Sequence, residues 1–354
     1  MRLILILEHV TITCNQLITH VVAPMRGKEN PQSDLFSQSV FDSLLPPDHF
    51  VRRLRELLDW KALAGELRDC YRGKGRPSVP PEVMLRIMVA QYVFDLSDRK
   101  VEQQMTMNIA IKFFVGLELD ACGVDHSTIS RFRGRVGAER FARLFNRIVA
   151  AARDAGIIAD RLHAIDARAV KANAATWRRR DDSDDDDGSG GFVKFDPSPP
   201  GNPDPDAAWG RKNKHNSFLG YKHHMSVDAE SGMITSSVVT PGNEHDGVVM
   251  AAVLDDAAGA VVADKAYDLP RNHVLLERKK IENRIIRKRG GNGNRNSGRY
   301  VVERTNAIVK RWCGGGRARY WGLEKVGIQM LLASIAANLK RWLSLTVPAL
   351  CPTG

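Results

Sequence analysis

Residues His163 to Ala174 read HAIDARAVKANA, and here the period of the chain changes. Ile165, Ala167 and Ala169 alternate with Asp166 and Arg168. That is the two-residue repeat of a strand with two unlike faces, not the three- to four-residue repeat of a helix. Asp166 shares its face with Arg168, while the apolar residues point the other way. An acid inside such a strand calls for a partner, because a carboxylate taken out of water alone is expensive.

Upstream of this point, from Asp48 to about Gly156, the spacing predicts helices. They lie in HFVRRLRELLDWKALAGELRDCY, in PPEVMLRIMVAQYVFDLSDRKVEQQM with Pro80 and Pro81 at its start, and in AERFARLFNRIVAAARDAG. Between the last two, DHSTISRFRGRVG reads as a short helix capped by Asp125 or Ser127 and carrying Arg131, Arg133 and Arg135. A short capped helix rich in Arg, following a helix and a Gly-containing turn, is similar to the reading helix of a helix-turn-helix. Arg131 and Arg133 are therefore candidate DNA contacts. A structural helix with a basic outer face fits the same residues.

Downstream, GYKHHMSVDAESG and MITSSVVTPGN predict two further strands joined as a hairpin at Glu230-Ser231-Gly232. His223 and His224, adjacent on a strand, face opposite sides and so cannot chelate one ion together. Next come a helix in HDGVVMAAVLDDAA with Asn243 or Asp246 as its cap, a buried strand in GAVVADKAY, and a helix in LPRNHVLLERKK. A strand in IENRIIRKR, a helix from Arg299, and a long apolar helix from Leu323 to about Trp342 complete the pattern. Strands followed by alternating helices and strands make a mixed α/β sheet. Between the first two strands lies an interruption from Trp177 to Gly210, loaded with Asp, Gly, Pro and Ser. It is expected to be a flexible surface insertion, poorly ordered over 178–209, whose six aspartates between Asp181 and Asp187 are solvated.

A chain of 354 residues allows two domains. The formal charge of +11 is concentrated, since residues 271–320 hold fifteen Lys or Arg against three Glu. A basic patch of this density predicts a polyanionic partner, nucleic acid first, bound with strong salt dependence. Five cysteines, Cys14, Cys70, Cys122, Cys313 and Cys351, show no zinc-like spacing, as reduced thiols in a cytoplasm would not. No apolar run is long enough to span a bilayer. Residues 1–24 make a poor signal peptide, and Met25 is expected to be the true start.

Two further acids join Asp166. Asp264 closes the apolar run Ala260-Val261-Val262-Ala263, at the carboxyl end of a strand buried on both faces, where open α/β sheets place their ligands. Glu303 lies in RYVVERTNAIVK, residues 299–310. As a helix this segment puts Arg299, Glu303 and Lys310 within about 40° of one another, with Val301, Ile308 and Trp312 opposite. An acid flanked by two cations suits a metal ion held through a carboxylate with phosphate oxygens gripped beside it. A merely solvated charged face is the competing reading. Lys265 and Tyr267, just after Asp264, are candidate DNA contacts near the same place.

Acids on a first strand, on a later central strand and on a following helix are where a resemblance enters. The chain resembles the bacterial insertion-sequence transposases with a DDE triad on a ribonuclease-H-like fold, most of all the insertion-sequence-five superfamily. The similarity runs from Met25 to about Leu345 and rests on co-linear segments: DHSTISRFR, GYKHHMSVD, VTPGNEHD, ADKAYD and WGLEKVGIQMLLASIAANLKRW. The family's third motif is Tyr, Arg, Glu, Lys at fixed spacing. Arg299, Glu303 and Lys310 match it, but Asn296 stands at the Tyr position and Tyr300 is displaced to follow the Arg. Arg168 stands where relatives often carry a small hydroxyl residue.

The resemblance implies an all-α amino-terminal DNA-binding domain over 25–158 and a ribonuclease-H-like catalytic domain over 159–346. It further implies that Asp166, Asp264 and Glu303 hold two Mg²⁺ ions, with Mn²⁺ as a substitute, and that Arg299 and Lys310 hold flanking phosphates. The expected function is Mg-dependent cleavage of the element's inverted-repeat ends and their transfer into target double-stranded DNA. A homodimer would act on the DNA, in the bacterial cytoplasm near the nucleoid and not at a membrane. Two alternatives remain at this stage: a metal-dependent nuclease of the same fold, and a decayed DNA-binding regulator.

Overall fold

The computed structural model describes residues 35–71, 78–174, 203–213, 216–289 and 298–346. Before the sheet come helices α1 (Leu35–Leu44), α2 (Phe50–Glu56), α3 (Trp60–Ala64), α4 (Pro81–Val93), α5 (Asp98–Met107), α6 (Ile109–Val115) and α7 (His126–Asp154). Pro81 opens α4, where its missing N–H is no loss, and the helix is buried on every side from Val83 to Val93. Ser97 and Asn108 cap α5 and α6 by accepting from backbone N–H groups of their first turns. Asp125 does the same for α7, accepting from the N–H groups of Ser127 and Thr128.

The short helix expected from Asp125 forms, and the next helix follows it without an intervening loop, so the two are named together as α7. The break between them is at Gly137, whose φ of 72° and ψ of 166° are not helical.

Among the described residues six strands form one sheet: β1 (His163–Lys171), β2 (Ala208–Asn213), β3 (Asn216–Asp228), β4 (Ile234–Pro241), β5 (Ala260–Ala263) and β6 (Glu282–Asn283). The order is β2-β3-β1-β5-β6, with β4 also paired to β3. β1 and β3, β2 and β3, and β3 and β4 run antiparallel, while β1, β5 and β6 are parallel, so the sheet is mixed as expected. The β3–β4 hairpin turns at Glu230-Ser231-Gly232. Asp228 Oδ2 accepts from the Ser231 N–H, and Gly232 takes a φ of 76°. The strand expected over 281–289 is shorter than that: β6 itself is Glu282–Asn283, and the N–H groups of Arg284 and Ile286 carry the pairing on to the Val261 and Ala263 carbonyls.

Helices cover both faces. On one side Ile165, Val261 and Ala263 pack with Tyr267, with α8 (Met250–Val253) and with α9 (Pro270–Arg278). On the other, Ala164, Met225 and Val262 meet α10 (Arg299–Trp312) and α11 (Leu323–Thr346). From Ile328 to Leu339 every residue of α11 is buried, and its far side packs on α4 and α7. A single apolar cluster therefore continues from Phe41 in α1 to Leu343 in α11, across residue 158. Each fully buried Leu or Ile in it contributes about 1.5–3 kcal/mol.

Part of the acidic interruption is ordered architecture. Residues 203–209 were expected to be loop, yet β2 forms an edge strand against β3 and two aspartates before it bind the start of α11. Asp204 accepts from the Tyr221 hydroxyl at 2.6 Å and the Gly322 N–H at 3.0 Å, and Asp206 accepts from the Leu323 N–H at 2.8 Å. They cap a helix more than a hundred residues away, satisfying N–H groups that the first turn leaves without partners. The expectations for residues 1–24 and for Asp181–Asp187 lie outside the described residues.

At the amino-terminal ends of β1 and β5, Arg153 of α7 donates to both Asp160 and Asp255, and Asp160 also bonds His163 Nε2 at 2.9 Å. Ligand atoms of Asp160, His163 and Asp255 lie within 4.8 Å of one another, a metal-like grouping. The Arg153 guanidinium already supplies the positive charge there, so this clasp joins α7 to the sheet. Among the described residues no helix is long and apolar enough to cross a membrane.

Candidate active site

β1 and β5 are parallel neighbours with His163 opposite Val261, Ala164 opposite Val262 and Ile165 opposite Ala263. One further step along both chains brings Asp166 beside Asp264. Alternation puts the pair on the face that Ala164 and Val262 share, the face covered by α10. Asp264 then caps the tight turn Lys265–Tyr267, accepting from the Lys265 N–H at 2.6 Å. β5 therefore delivers its acid at its carboxyl end and turns away at once.

α10 brings the third acid. It begins at Gly298, whose φ is 95° and whose missing Cβ leaves room for Leu162, since a Cβ there would stand 2.9 Å from Leu162 Cδ2. Val301, Val302, Thr305 and Val309 face the core, and Thr305 donates to the Gly232 carbonyl. That leaves Arg299, Glu303, Asn306 and Lys310 as a stripe at heptad-like spacing along the site side. Arg299 Nη1 lies 3.6 Å from Asp264 Oδ1, its Nη2 lies 3.5 Å from Glu303 Oε1, and Asn306 Nδ2 donates to Asp166 Oδ2 at 3.2 Å. Lys310 is exposed at the far end of the stripe. Trp312, placed opposite the stripe by the helical spacing, is 63% exposed.

The electrostatics of Asp166 follow from its place. Burial is the largest influence and pushes its carboxyl up to about 6; the Ala167 N–H and Arg299 pull it back, while Asp264 and Asp246 add to the rise. A half-buried carboxylate with two acids acting on it and one guanidinium opposing them is short of positive charge. Oxygen donors in that state fit a hard divalent cation better than zinc or copper.

A second polar layer lies behind the acids, and the sequence reading did not find it. Lys222 Nζ donates to Asp246 Oδ1 and to the Glu244 carbonyl, both at 2.8 Å. Asn272 bridges the Gly247 and Tyr267 carbonyls, fastening the loop after β4 to the turn after β5. His245, not Asn243 or Asp246, caps the short helical turn Asp246–Val248, accepting from the Gly247 N–H through Nδ1. Both histidines of β3 are buried: His223 is held neutral by burial and by Arg168, and His224 is pushed down to about 4 chiefly by burial. Asn306 alone had a legible signal, for it falls on the stripe of Arg299, Glu303 and Lys310.

Arg168 resolves as a strut. It is half-buried and donates to the Gly315 carbonyl at 2.7 Å and to His223 Nδ1 at 3.3 Å, which ties β1 to the turn after α10. Burial lowers its pKa to about 10.

Of the candidate DNA contacts, Lys265, Lys310 and Arg131 are exposed. Arg133 is not available for DNA: it is 4% exposed, donating to Asp98 and Gln91 and stacked over the Tyr320 ring. Tyr267 is also withdrawn, because the turn after Asp264 folds its ring into the cluster around Ile165 and Met250. Among the described residues its hydroxyl has no hydrogen-bond partner, and burial together with Asp246, Asp166 and Asp264 keeps it un-ionised. Asn296 lies outside the described residues, and Tyr300 is 67% exposed.

Two family profiles match the chain. One, described as a transposase DDE domain, covers residues 158–339, slightly more than half the sequence. The other, described as a transposase domain, covers residues 39–135 within the helical part.

Proposed function

The chain belongs to the DDE transposases of insertion sequences, enzymes that work on DNA with divalent metal ions, and from that membership we propose that Asp166, Asp264 and Glu303 are its catalytic triad. The observation that carries this reading is the Arg299 guanidinium, which lies 3.6 Å from Asp264 and 3.5 Å from Glu303 and whose charge also acts on Asp166, so that acids from β1, β5 and α10 share it. Acids so distant in sequence share one counter-ion when they share one site.

In this reading the triad holds two Mg²⁺ ions, which supply Lewis acidity at the reacting phosphate and help ionise the attacking hydroxyl. Asn306 keeps Asp166 in place through its amide, and the Asp264 carboxylate is fixed by the Lys265 N–H. Arg299 and Lys310 hold the phosphates flanking the scissile bond, at the two ends of the α10 stripe. Lys265 and Arg131 add contacts to the duplex, the first beside the acids and the second from the helical part. With these groups one site can cut the element's inverted-repeat ends and then join the freed 3′-hydroxyl to target DNA. We further assign the chain to the insertion-sequence-five superfamily, acting in a bacterial cytoplasm as a homodimer that pairs two ends.

The test is cleavage and strand transfer on DNA carrying the element's ends in Mg²⁺. Asp166→Asn, Asp264→Asn and Glu303→Gln should each lower cleavage by at least about a hundredfold while leaving end binding in place. Near-normal cleavage by any of them would sink the triad. Cleavage without joining by the unaltered protein would make it a nuclease of this fold.

A further inference from the structure

Arg299 leans into the acids instead of out into solvent. Its side chain is 24% exposed, its two terminal nitrogens reach toward Asp264 and Glu303, and its charge also lowers the pKa of Asp166. Neither contact is a closed fork, because both distances, 3.6 and 3.5 Å, exceed those of an ordinary charged hydrogen bond. Its Nε is buried and has no hydrogen-bond partner among the described residues. A cation is thus poised between the second and third acids with unused donors, at the first turn of α10. Lys310, at the other end of the stripe, faces solvent.

We propose that Arg299 is a stand-in counter-ion: it competes with the divalent cation for Asp264 and Glu303, and it gives up the carboxylates when DNA phosphate arrives. The proposal rests on the reading of these acids as the metal site. Three facing carboxylates repel one another unless positive charge lies among them, and before DNA binds Arg299 supplies it. A divalent ion at the same oxygens must displace the guanidinium or sit beside it against like-charge repulsion. A phosphate offers that guanidinium two parallel hydrogen bonds, a better partner than two loose ion pairs. Drawing Arg299 away unmasks the acids. By linkage, DNA must then raise the affinity for metal by the same factor that metal raises the affinity for DNA.

Mn²⁺ affinity of the full-length protein, measured by titration calorimetry, tests this without any turnover. In the absence of DNA, Arg299→Gln should bind Mn²⁺ about three- to tenfold more tightly than the unaltered protein, the amount expected for releasing two partly exposed ion pairs. Arg299→Lys, which keeps the charge but loses the fork, should fall between the two. Adding a short duplex of arbitrary sequence should tighten Mn²⁺ binding to the unaltered protein, and this arm needs no substitution. The gain should be absent in Arg299→Gln. Equal or weaker Mn²⁺ binding by Arg299→Gln, or no response to duplex, overturns the coupling. If instead Asp264→Asn and Glu303→Gln bind Mn²⁺ as well as the unaltered protein, the metal site has been misread and the failure lies there, not in the role of Arg299.

Discussion

Asp264 follows the last β5 residue paired with β1, so that it stands beside Asp166 on the next strand. Two acids set side by side at the end of a parallel pair are worse off together than apart. The fold tolerates them because α10 lays a guanidinium across one and an amide against the other. What remains uncompensated is read in Asp166, whose carboxyl is pushed up to about 6 by burial.

That shift has a sign. A carboxyl whose folded pKa lies above its unfolded value of 3.8 binds its proton more tightly in the native state. Its ionisation therefore withdraws stability as pH rises from about 4 through 6, and the loss is complete above that window. Two pKa units correspond to about 2–3 kcal/mol. The metal-free Asp166→Asn protein should be more stable than the unaltered one at pH 7 by an amount of that order. The advantage should fade as pH falls toward 4, and urea unfolding across the window is the measurement. An Asn protein that is less stable at pH 7 would contradict the assignment of Asp166 as an under-neutralised half-buried acid.

Arg131 and Arg133 are two residues apart on α7, and the structure gives them opposite duties. Arg133 is buried against Asp98, so Arg133→Ala strands that acid and should lower stability by about 3 kcal/mol or more. Arg131 is exposed and bonds only to Ser127 and Thr128 of its own helix among the partners seen. Arg131→Ala should leave stability within about 0.5 kcal/mol and reduce the dependence of DNA affinity on log salt by about one contact. Unfolding midpoints and anisotropy titrations at several salt concentrations separate the two.

Capping in trans makes another measurable claim. Asp206 accepts from the Leu323 N–H, so Asp206→Ala should cost about 1 kcal/mol, as the loss of any good N-cap does. Asp206→Asn, which keeps an acceptor oxygen, should restore most of it. If both substitutions are silent in thermal melts, the segment before β2 is solvated loop after all.

These cases show which parts of the molecule sequence can carry. The alternation in β1, the apolar run of β5 and the stripe on α10 are periodic, and periodicity is local, so the positions of Asp166, Asp264 and Glu303 on their elements were readable. Their convergence was not, since it depends on the parallel register and on α10 entering over Leu162. Asp204, Asp206 and the Lys222–Asp246 pair carry no periodic signal. They matter only once remote segments meet. The duty of Arg133 is not legible locally either, because Asp98, Gln91 and Tyr320, which hold it inside, come from two other helices and a remote turn.

The turn that fixes the far end of α10 can be probed with a pair of glycines. Gly315 lies where Arg168 reaches across from β1, and its N–H donates to the Val309 carbonyl. A Cβ at Gly315 would stand 2.6 Å from Val309 Cγ1, 2.7 Å from Arg168 Nη2 and 2.8 Å from the Val309 oxygen, so backbone must shift. Gly315→Ala should therefore destabilise the protein by about 1–3 kcal/mol. Because the strut from Arg168 ends on this residue, it should also disturb the placement of Lys310. Gly327, inside α11, meets nothing within 4 Å, and Gly327→Ala should add about 0.5–1 kcal/mol by removing the conformational freedom of a helical glycine. Thermal melts of the two variants should move in opposite directions. If Gly315→Ala melts like the unaltered protein, the strut does not hold the turn, and Arg168 contributes packing alone.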